Sequence, residues 1–549
     1  MELPAHPLER LLAALLSTDR AALVHDVGPA GAELTLSDRS HLVVFFASTA
    51  EELEERLQHV LAHVKPGMSL RYLAAETVPG AREVFERLVP ARWKQVRSAH
   101  AAHLWSQAHG VTTVVGQRAP LLNAAHAWLE ANTPPPLASL LVERAEQVAT
   151  HDDFFQVVMR RRAWATQTIA AASVLFFALE WWWGDGNTTL ASVRMGAASG
   201  ALLAEGQVWR LLAPMLLHGS VFHLAMNMLA LFGFGTFLER FLGWRRYLAL
   251  YVLSGLGGSI ASSLRETDVI SVGASGGIWG LMLAGAMLVT VPRGKLPALV
   301  VAQQRGRAWT PVIINALYSF RPGIDFLAHL GGGLVGALLV ASGLMLLGIP
   351  RAEDVGAEDR PPVREGVLVK AVSLSLAASL VLAMVAALVT GRPWELRDTP
   401  SLTRTPIAAL GVSLELPDLM GAKRQVDANV WVAGQLGLDP LAVIVSLDPA
   451  RLDDEQAADP RGTLELSVDS LATQPHDGFR VVTKNHVVNT PAGRPLLVSE
   501  SRAEDGRREL SAWFIEGHRV GRVVVVLHPS ASAGWAGVGE RLAESLAVE

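Results

Sequence analysis

The chain has 549 residues, a formal net charge of −5, no cysteine, 50% hydrophobic and only 18% charged residues, and a mean hydropathy of +0.30. That length asks for several domains, and the charged share falls below the roughly 25% of soluble chains. Without cysteine there are no disulfides, thiolate metal sites or cysteine nucleophiles, and the unremarkable net charge argues against a dedicated nucleic-acid binder.

Residues 1–160 carry an ordinary soluble mixture. The apolar run Leu11–Leu16 stops at Ser17 and Asp19, too short for a signal-peptide core, so this region is expected to stay in the cytoplasm. Amphipathic patterns predict helices over 49–64 and 91–109, and strands are predicted at Leu42–Phe46 and Val111–Val115. After Pro134–Pro136, a helix at about 139–159 leads toward the first long apolar run.

From 163 to 391 the sequence is nearly unbroken apolar. Crossing a bilayer core of ~30 Å takes ~20 apolar residues as helix. Runs at 163–183, 221–242, 246–264, 274–291, 308–320, 326–348 and 367–390 predict seven spans, the fifth of them short. Basic residues mark the cytoplasmic side. Arg160–Arg162, Arg245 with Arg246, and Arg293 to Arg307 fall on one side of a seven-span count. Trp181–Trp183 then end the first span at an outer aromatic belt.

Beyond the spans, strand-like segments at 409–416, 479–488, 509–516 and 520–528 precede a helical pattern at 532–547. This predicts an α+β module with an antiparallel sheet, and its pattern is similar to the PsbP/Mog1 type. The odd span count places it outside. His59, His63, His518 and His528, in the two flanking regions, read as surface or core residues rather than ligands.

Polar and ionisable side chains inside spans are costly, so each one asks for a reason. Three clusters stand out: His218 to Asn227, Gly273-Ala-Ser275-Gly276-Gly277-Ile-Trp279, and Ala328-His329-Leu-Gly331-Gly332-Gly333. Each opens an even-numbered span, so parity brings all three to one depth near the outer leaflet. A serine hydroxyl needs a base to take its proton, and histidine suits that role. Glycines beside Ser275 and His329 let their helices approach closely. His223 and Asn227 share a helix face at i, i+4, from which they can donate to a developing oxyanion together with the Ser275 backbone N–H.

In this order, Trp209-Arg210, His218-x₄-His223-x₃-Asn227, Glu239-x₃-Gly243, Gly273-x-Ser275-Gly276 and Ala328-His329-x-Gly331-Gly332 resemble the rhomboid family of intramembrane serine proteases, over roughly 205–340. The resemblance implies a Ser275–His329 dyad without an acidic third member and an oxyanion hole of His223 and Asn227. It also implies supporting roles for His218, Gly273 and Trp279, and a structural role for Glu239. Many relatives carry tyrosine where Trp279 stands; an aromatic ring is kept, with a changed pocket shape.

The implied fold class is an α-helical polytopic membrane bundle, rhomboid-like, with a six-helix core and a seventh C-terminal span, flanked by a cytosolic α/β domain and an exported α+β domain. The expected boundaries are 1–160 for the N-terminal domain, 161–350 for the six-span catalytic core, 351–391 for linker and seventh span, and 392–549 for the extracytoplasmic domain. The implied partners are transmembrane protein substrates, cut near the outer face, and the lipid bilayer. No metal or organic cofactor is implied. Residue usage without a transit peptide favours a bacterial inner membrane.

The alternative is a catalytically silent rhomboid-like protein that binds membrane clients; such proteins commonly lack the dyad. A transporter would need an inverted repeat, which is not visible. Other intramembrane proteases would need His-Glu-x-x-His or paired aspartates in a span, and the sequence has neither.

Overall fold

The computed structural model describes the whole chain except residues 1–5, 20–21, 29, 64–68, 90–99, 187, 265–269, 353–364, 398–399, 419, 421–422, 435–438, 469–478, 482–484, 491–492, 530, 532 and 549. Two compact units result. One comprises residues 1–162, 285–317 and 340–364, the other 163–284, 318–339 and 365–549.

The N-terminal region runs α1 (Pro7–Thr18), β1 (Leu23–Gly28), β2 (Gly31–Thr35), β3 (His41–Phe45), α2 (Ala50–Ala62), β4 (Leu70–Ala75), α3 (Ala81–Leu88), β5 (His100–Ser106), β6 (Gly110–Val115), α4 (Pro120–Ala131) and α5 (Leu137–Arg160). Its six strands lie in sequence order, with β3, β4 and β5 parallel and the other neighbours antiparallel. Parallel neighbours need a crossover, which α2 and α3 supply. Leu11, Leu42, Tyr72, Phe85 and Leu122 fill the core.

The helix predicted over 91–109 is corrected here. Residues 90–99 lie outside the described residues, and 100–106 form strand β5 between β4 and β6. Pairing on both sides overrides the helical pattern.

The bundle follows: α6 (Trp164–Trp183), α7 (Thr188–Arg194), β7 (Ala198–Ser199), α8 (Gly200–Ala204), α9 (Val221–Ala230), α10 (Thr236–Leu242), α11 (Trp244–Ser263), β8 (Ile270–Ser271), α12 (Ser275–Thr290), α13 (Ala298–Gln304), α14 (Trp309–Tyr318), α15 (Phe326–Ala341) and α16 (Val367–Gly391). A π-helical turn, Leu231–Gly235, joins α9 to α10. A Cβ on Gly235 would lie 2.5 Å from the Tyr247 hydroxyl, so the turn admits that ring.

Among the described residues two helices are long and apolar enough to cross a bilayer, Val221–Leu242 and Val367–Leu396. Helices α12 and α15, at 16 residues each, and α14, at 10, are shorter than the sequence pattern predicts. Helix α15 stops before Gly343, whose φ of +83° takes the left-handed conformation that ends helices.

Backbone contact holds α11, α12 and α15 together. A Cβ on Gly332 would fall 2.1 Å from the Gly276 carbonyl oxygen, and one on Gly336 the same distance from that of Gly280. A Cβ on Gly258 would lie 2.6 Å from the Ala328 carbonyl. The pairs 276/332 and 280/336 advance together by four residues, so α12 and α15 run parallel.

The C-terminal region contains β9 (Leu402–Ile407), β10 (Val412–Pro417), β11 (Lys423–Asp427), β12 (Val430–Ala433), β13 (Leu441–Arg451), α17 (Asp454–Ala458), α18 (Pro460–Leu466), β14 (Phe479–Val481), β15 (His486–Asn489), β16 (Pro495–Ala503), β17 (Arg508–Glu516), β18 (Arg519–Leu527), α19 (Ala533–Glu544) and β19 (Ala547–Val548). An antiparallel sheet in the order β11-β12-β13-β18-β17-β16-β14 pairs β15 onto β16, and β19-β10-β9 form a smaller sheet. Val443, Phe514, Val523, Val525 and Trp535 are buried in one core. The strand predicted over 479–488 is two short strands, with 482–484 outside the described residues.

Candidate active site

Ser275 opens α12, half-buried, just after Gly273. Gly273 has φ +130°, and a Cβ there would meet the His223 imidazole at 2.8 Å from Cε1 and 2.9 Å from Nε2. Only glycine lets this turn adopt that backbone and lie against that ring. Its N–H donates to the Pro214 carbonyl at 2.9 Å.

His329 sits in the first turn of α15. Asp325 caps this helix: one carboxylate oxygen accepts the Ala328 N–H at 3.1 Å, and its carbonyl accepts the His329 N–H at 3.2 Å. The other carboxylate oxygen accepts the Ser262 hydroxyl from α11. Two further contacts hold the imidazole. The Trp279 ring stacks on it, centroids 5.3 Å apart and planes at 21°, and Ser319 Oγ lies 2.7 Å from Nδ1. Trp279 stands one helical turn beyond Ser275, and the Gly276 Cα faces the Ala328 carbonyl. Nucleophile candidate and base candidate therefore lie on contacting helix ends. Among the described residues no hydrogen bond joins the Ser275 hydroxyl to the imidazole, and such pairs are often loose without substrate.

His223 and Asn227 occupy α9, which starts at Ser220, whose hydroxyl accepts the His223 N–H at 3.1 Å. The Asn227 side-chain amide donates to the His223 carbonyl at 3.0 Å, leaving its second N–H for another acceptor. His218 is fully buried, its ring edge-on to His223 at 5.3 Å and 67°. Ring contacts thus join the first cluster internally and, through Gly273, to the second, while Trp279 joins the second to the third.

Outside these clusters, the Glu239 carboxylate accepts the Ala165 N–H, the Thr166 N–H and the Thr166 hydroxyl, each at 2.7 Å, tying α10 to the start of α6. Arg210 donates to the Val193 and Ala197 carbonyls at 2.7 and 2.8 Å, bracing the loop after α6. Among the described residues no group of three His, Asp or Glu side chains is placed to hold a metal ion.

Residues 205–345 match the Rhomboid domain family. RHOMBOID-like protein 5 of Arabidopsis thaliana is 38% identical over 177 residues, covering 31% of this chain and 54% of that protein. Rhomboid protease GluP of Bacillus subtilis is 37% identical over 175 residues, 32% of each chain. The alignments thus span about half or less of these two relatives. Putative rhomboid protease YdcA of Bacillus subtilis is 37% identical over 140 residues, which cover 25% of this chain and 68% of that one. The chain belongs to the rhomboid family. This rhomboid is accordingly a multi-pass membrane protein with a helical bundle, in a family that includes serine proteases. Among solved structures, cyanobacterial PsbP from Synechocystis matches 27% of this chain and 93% of its own, with 12% identity and a TM-score of 0.21.

Sequence reasoning missed three residues of this rhomboid's site region. Glu180, fully buried in α6, accepts the Ser192 hydroxyl and, at 3.1 Å, the His218 N–H. An acid between Leu179 and Trp181 in an apolar run was a usable signal. Asp325, just ahead of the sixth apolar run, reads as a helix cap. Ser319 carries no signal in one sequence, because serine is common in membrane helices.

Proposed function

We propose that this chain is an intramembrane serine endopeptidase that cleaves transmembrane segments near the outer leaflet, with Ser275 as nucleophile and His329 as base. The observation that carries the reading is the stack of Trp279 on His329, one turn beyond Ser275, on helices in backbone contact. In the reaction, Ser275 Oγ attacks the scissile carbonyl carbon while His329 Nε2 takes its proton. Charge gathers on the carbonyl oxygen, where the free Asn227 N–H, the His223 ring and the Ser275 N–H can donate; one such donor is worth ~10²–10³ in rate. Collapse breaks the C–N bond as Nε2 returns the proton to the leaving amine. Water, deprotonated at the same nitrogen, then releases the acyl group from Ser275.

The test is cleavage of a single-span substrate by the purified protein in detergent, with a fluorophosphonate to label the nucleophile. Ser275→Ala should lower kcat by at least ~10³ and abolish labelling. A folded Ser275→Ala protein that cleaves at the wild-type rate overturns the reading, and client binding by a silent bundle then becomes the better account.

The basic residues at 160–162, 245–246 and 293–307 support an orientation with 1–160 in the cytoplasm and 392–549 outside an inner membrane. Single cysteines at positions 20 and 470, labelled from outside intact cells, test it. Labelling at 20 but not at 470 reverses the assignment.

A further inference from the structure

A neutral imidazole carries one N–H, and which nitrogen holds it decides whether His329 can act as a base. Only with the proton on Nδ1 does Nε2 offer a lone pair to Ser275. An N–H on the side of the ring that faces the buried Ser319 needs an acceptor, since leaving it unmade is costly. Ser319 sits immediately after α14, is 1% exposed, and brings Oγ to 2.7 Å from Nδ1.

We infer that Ser319 is a positioning residue for His329: its hydroxyl oxygen accepts the Nδ1–H, fixes the productive tautomer and holds the ring for Ser275. The inference rests on the protease reading above. Ser319 exchanges no proton in the cycle. Nδ1–H stays on Ser319 Oγ when Nε2 takes the Ser275 proton, and the same bond then stabilises the imidazolium until Nε2–H passes to the leaving amine. The contacts divide the work: Trp279 limits tilt by covering a ring face, while Ser319 limits spin about the ring axis by engaging one nitrogen. A dyad so arranged gains an orienting partner that is neutral and adds no charge of its own beside the imidazole.

Threonine and valine have nearly the same shape and differ by the hydroxyl, so they separate hydrogen bonding from packing. The experiment compares wild type, Ser319→Thr and Ser319→Val for cleavage of a single-span substrate, for the rate of fluorophosphonate labelling at Ser275, and for the midpoint of thermal unfolding in detergent. Ser319→Val should lose about 10–100-fold in kcat and in labelling rate, with KM unchanged. Ser319→Thr should retain activity within about threefold of wild type, and Ser319→Val should remain folded with a midpoint lowered only by the unmade Nδ1–H bond. Equal activity of the two variants, or a loss confined to KM, overturns the assignment while leaving the dyad in place. A wild-type protein that neither cleaves nor labels overturns the protease reading itself, and the role of Ser319 with it.

Discussion

The N-terminal sheet buries a histidine and the helical bundle half-buries another, and in each the Nδ1 meets a hydroxyl, to different ends. His103, on β5, lies 3.2 Å from Thr113 Oγ1, its cross-strand partner on β6. His329, on α15, lies 2.7 Å from Ser319 Oγ. Beyond the shared hydrogen bond the surroundings diverge: Nε2 of His103 meets no hydrogen-bond partner among the described residues, whereas His329 is stacked on the helix that begins with Ser275. The sheet packs Leu42 and Tyr72 inward against Phe85 of α3 in one core. The bundle turns large apolar side chains outward, Phe222 66% and Leu317 69% exposed, and brings glycine backbones and polar groups together inside. A buried histidine is a packing solution in one region; in the other, a half-buried one stands near Ser275 in a matrix fixed by backbone contact, the arrangement the proposed dyad requires.

The sharpest way to break this comparison is to add a methyl where the bundle allows none. Gly336→Ala places a Cβ against the Gly280 carbonyl, which is main chain and cannot swing away. The cost should exceed the ~1–3 kcal/mol of ordinary overpacking, seen as a large fall in thermal midpoint and loss of fluorophosphonate labelling. Gly285→Ala, with nothing within 4 Å of the new atom, is the matched control and should be neutral or slightly stabilising.

A smaller effect separates the regions by pH. Burial lowers the His103 pKa from 6.5 to about 4. Between those values the unfolded chain takes a proton that the folded sheet refuses, so stability present above pH 6.5 is lost as pH falls toward 4, by about 3 kcal/mol in total. Protection of the β5 amides, corrected for intrinsic exchange, should decline over that window, and His103→Leu should flatten the decline.

The smallest expected effect tests the polar interior. Glu239→Gln replaces an acceptor of three hydrogen bonds with an amide that can accept at one oxygen only. A loss of ~1–3 kcal/mol is expected, read as a lower thermal midpoint with the kcat of the remaining folded protein preserved. An unchanged midpoint would mean that the bundle does not depend on this buried acid.

Legibility in the sequence followed solvent contrast. His218, His223, Asn227, Ser275 and His329 were visible because polar residues stand out in apolar runs, and the structure joins their clusters through ring contacts and Gly273. Ser319 was invisible because its role depends on how the segment after α14 meets α15, a tertiary fact that spacing does not encode. Glu180 was visible and overlooked beside the three tryptophans. Strand β5 was missed because, with sheet neighbours on both sides, it is buried nearly throughout, Ala102 and Leu104 included, and the alternation that marks a half-exposed strand is absent. Strand β13 opens with the buried run Leu441–Val443 and then alternates to Asp448, a usable signal that was overlooked.

The parallel glycine pairs 276/332 and 280/336 work as an index between α12 and α15. Adding a single residue to α15 between His329 and Gly332 would turn everything beyond it by about 100° and advance it by about 1.5 Å. If the glycines kept their seats, His329 would leave the face that meets Trp279; if His329 kept its place, side chains would strike carbonyls along the seam. The helix therefore tolerates substitutions on its lipid-facing side far better than any change in length. The spacing of Ser275 and His329 is kept as a count of residues, in the manner of a vernier.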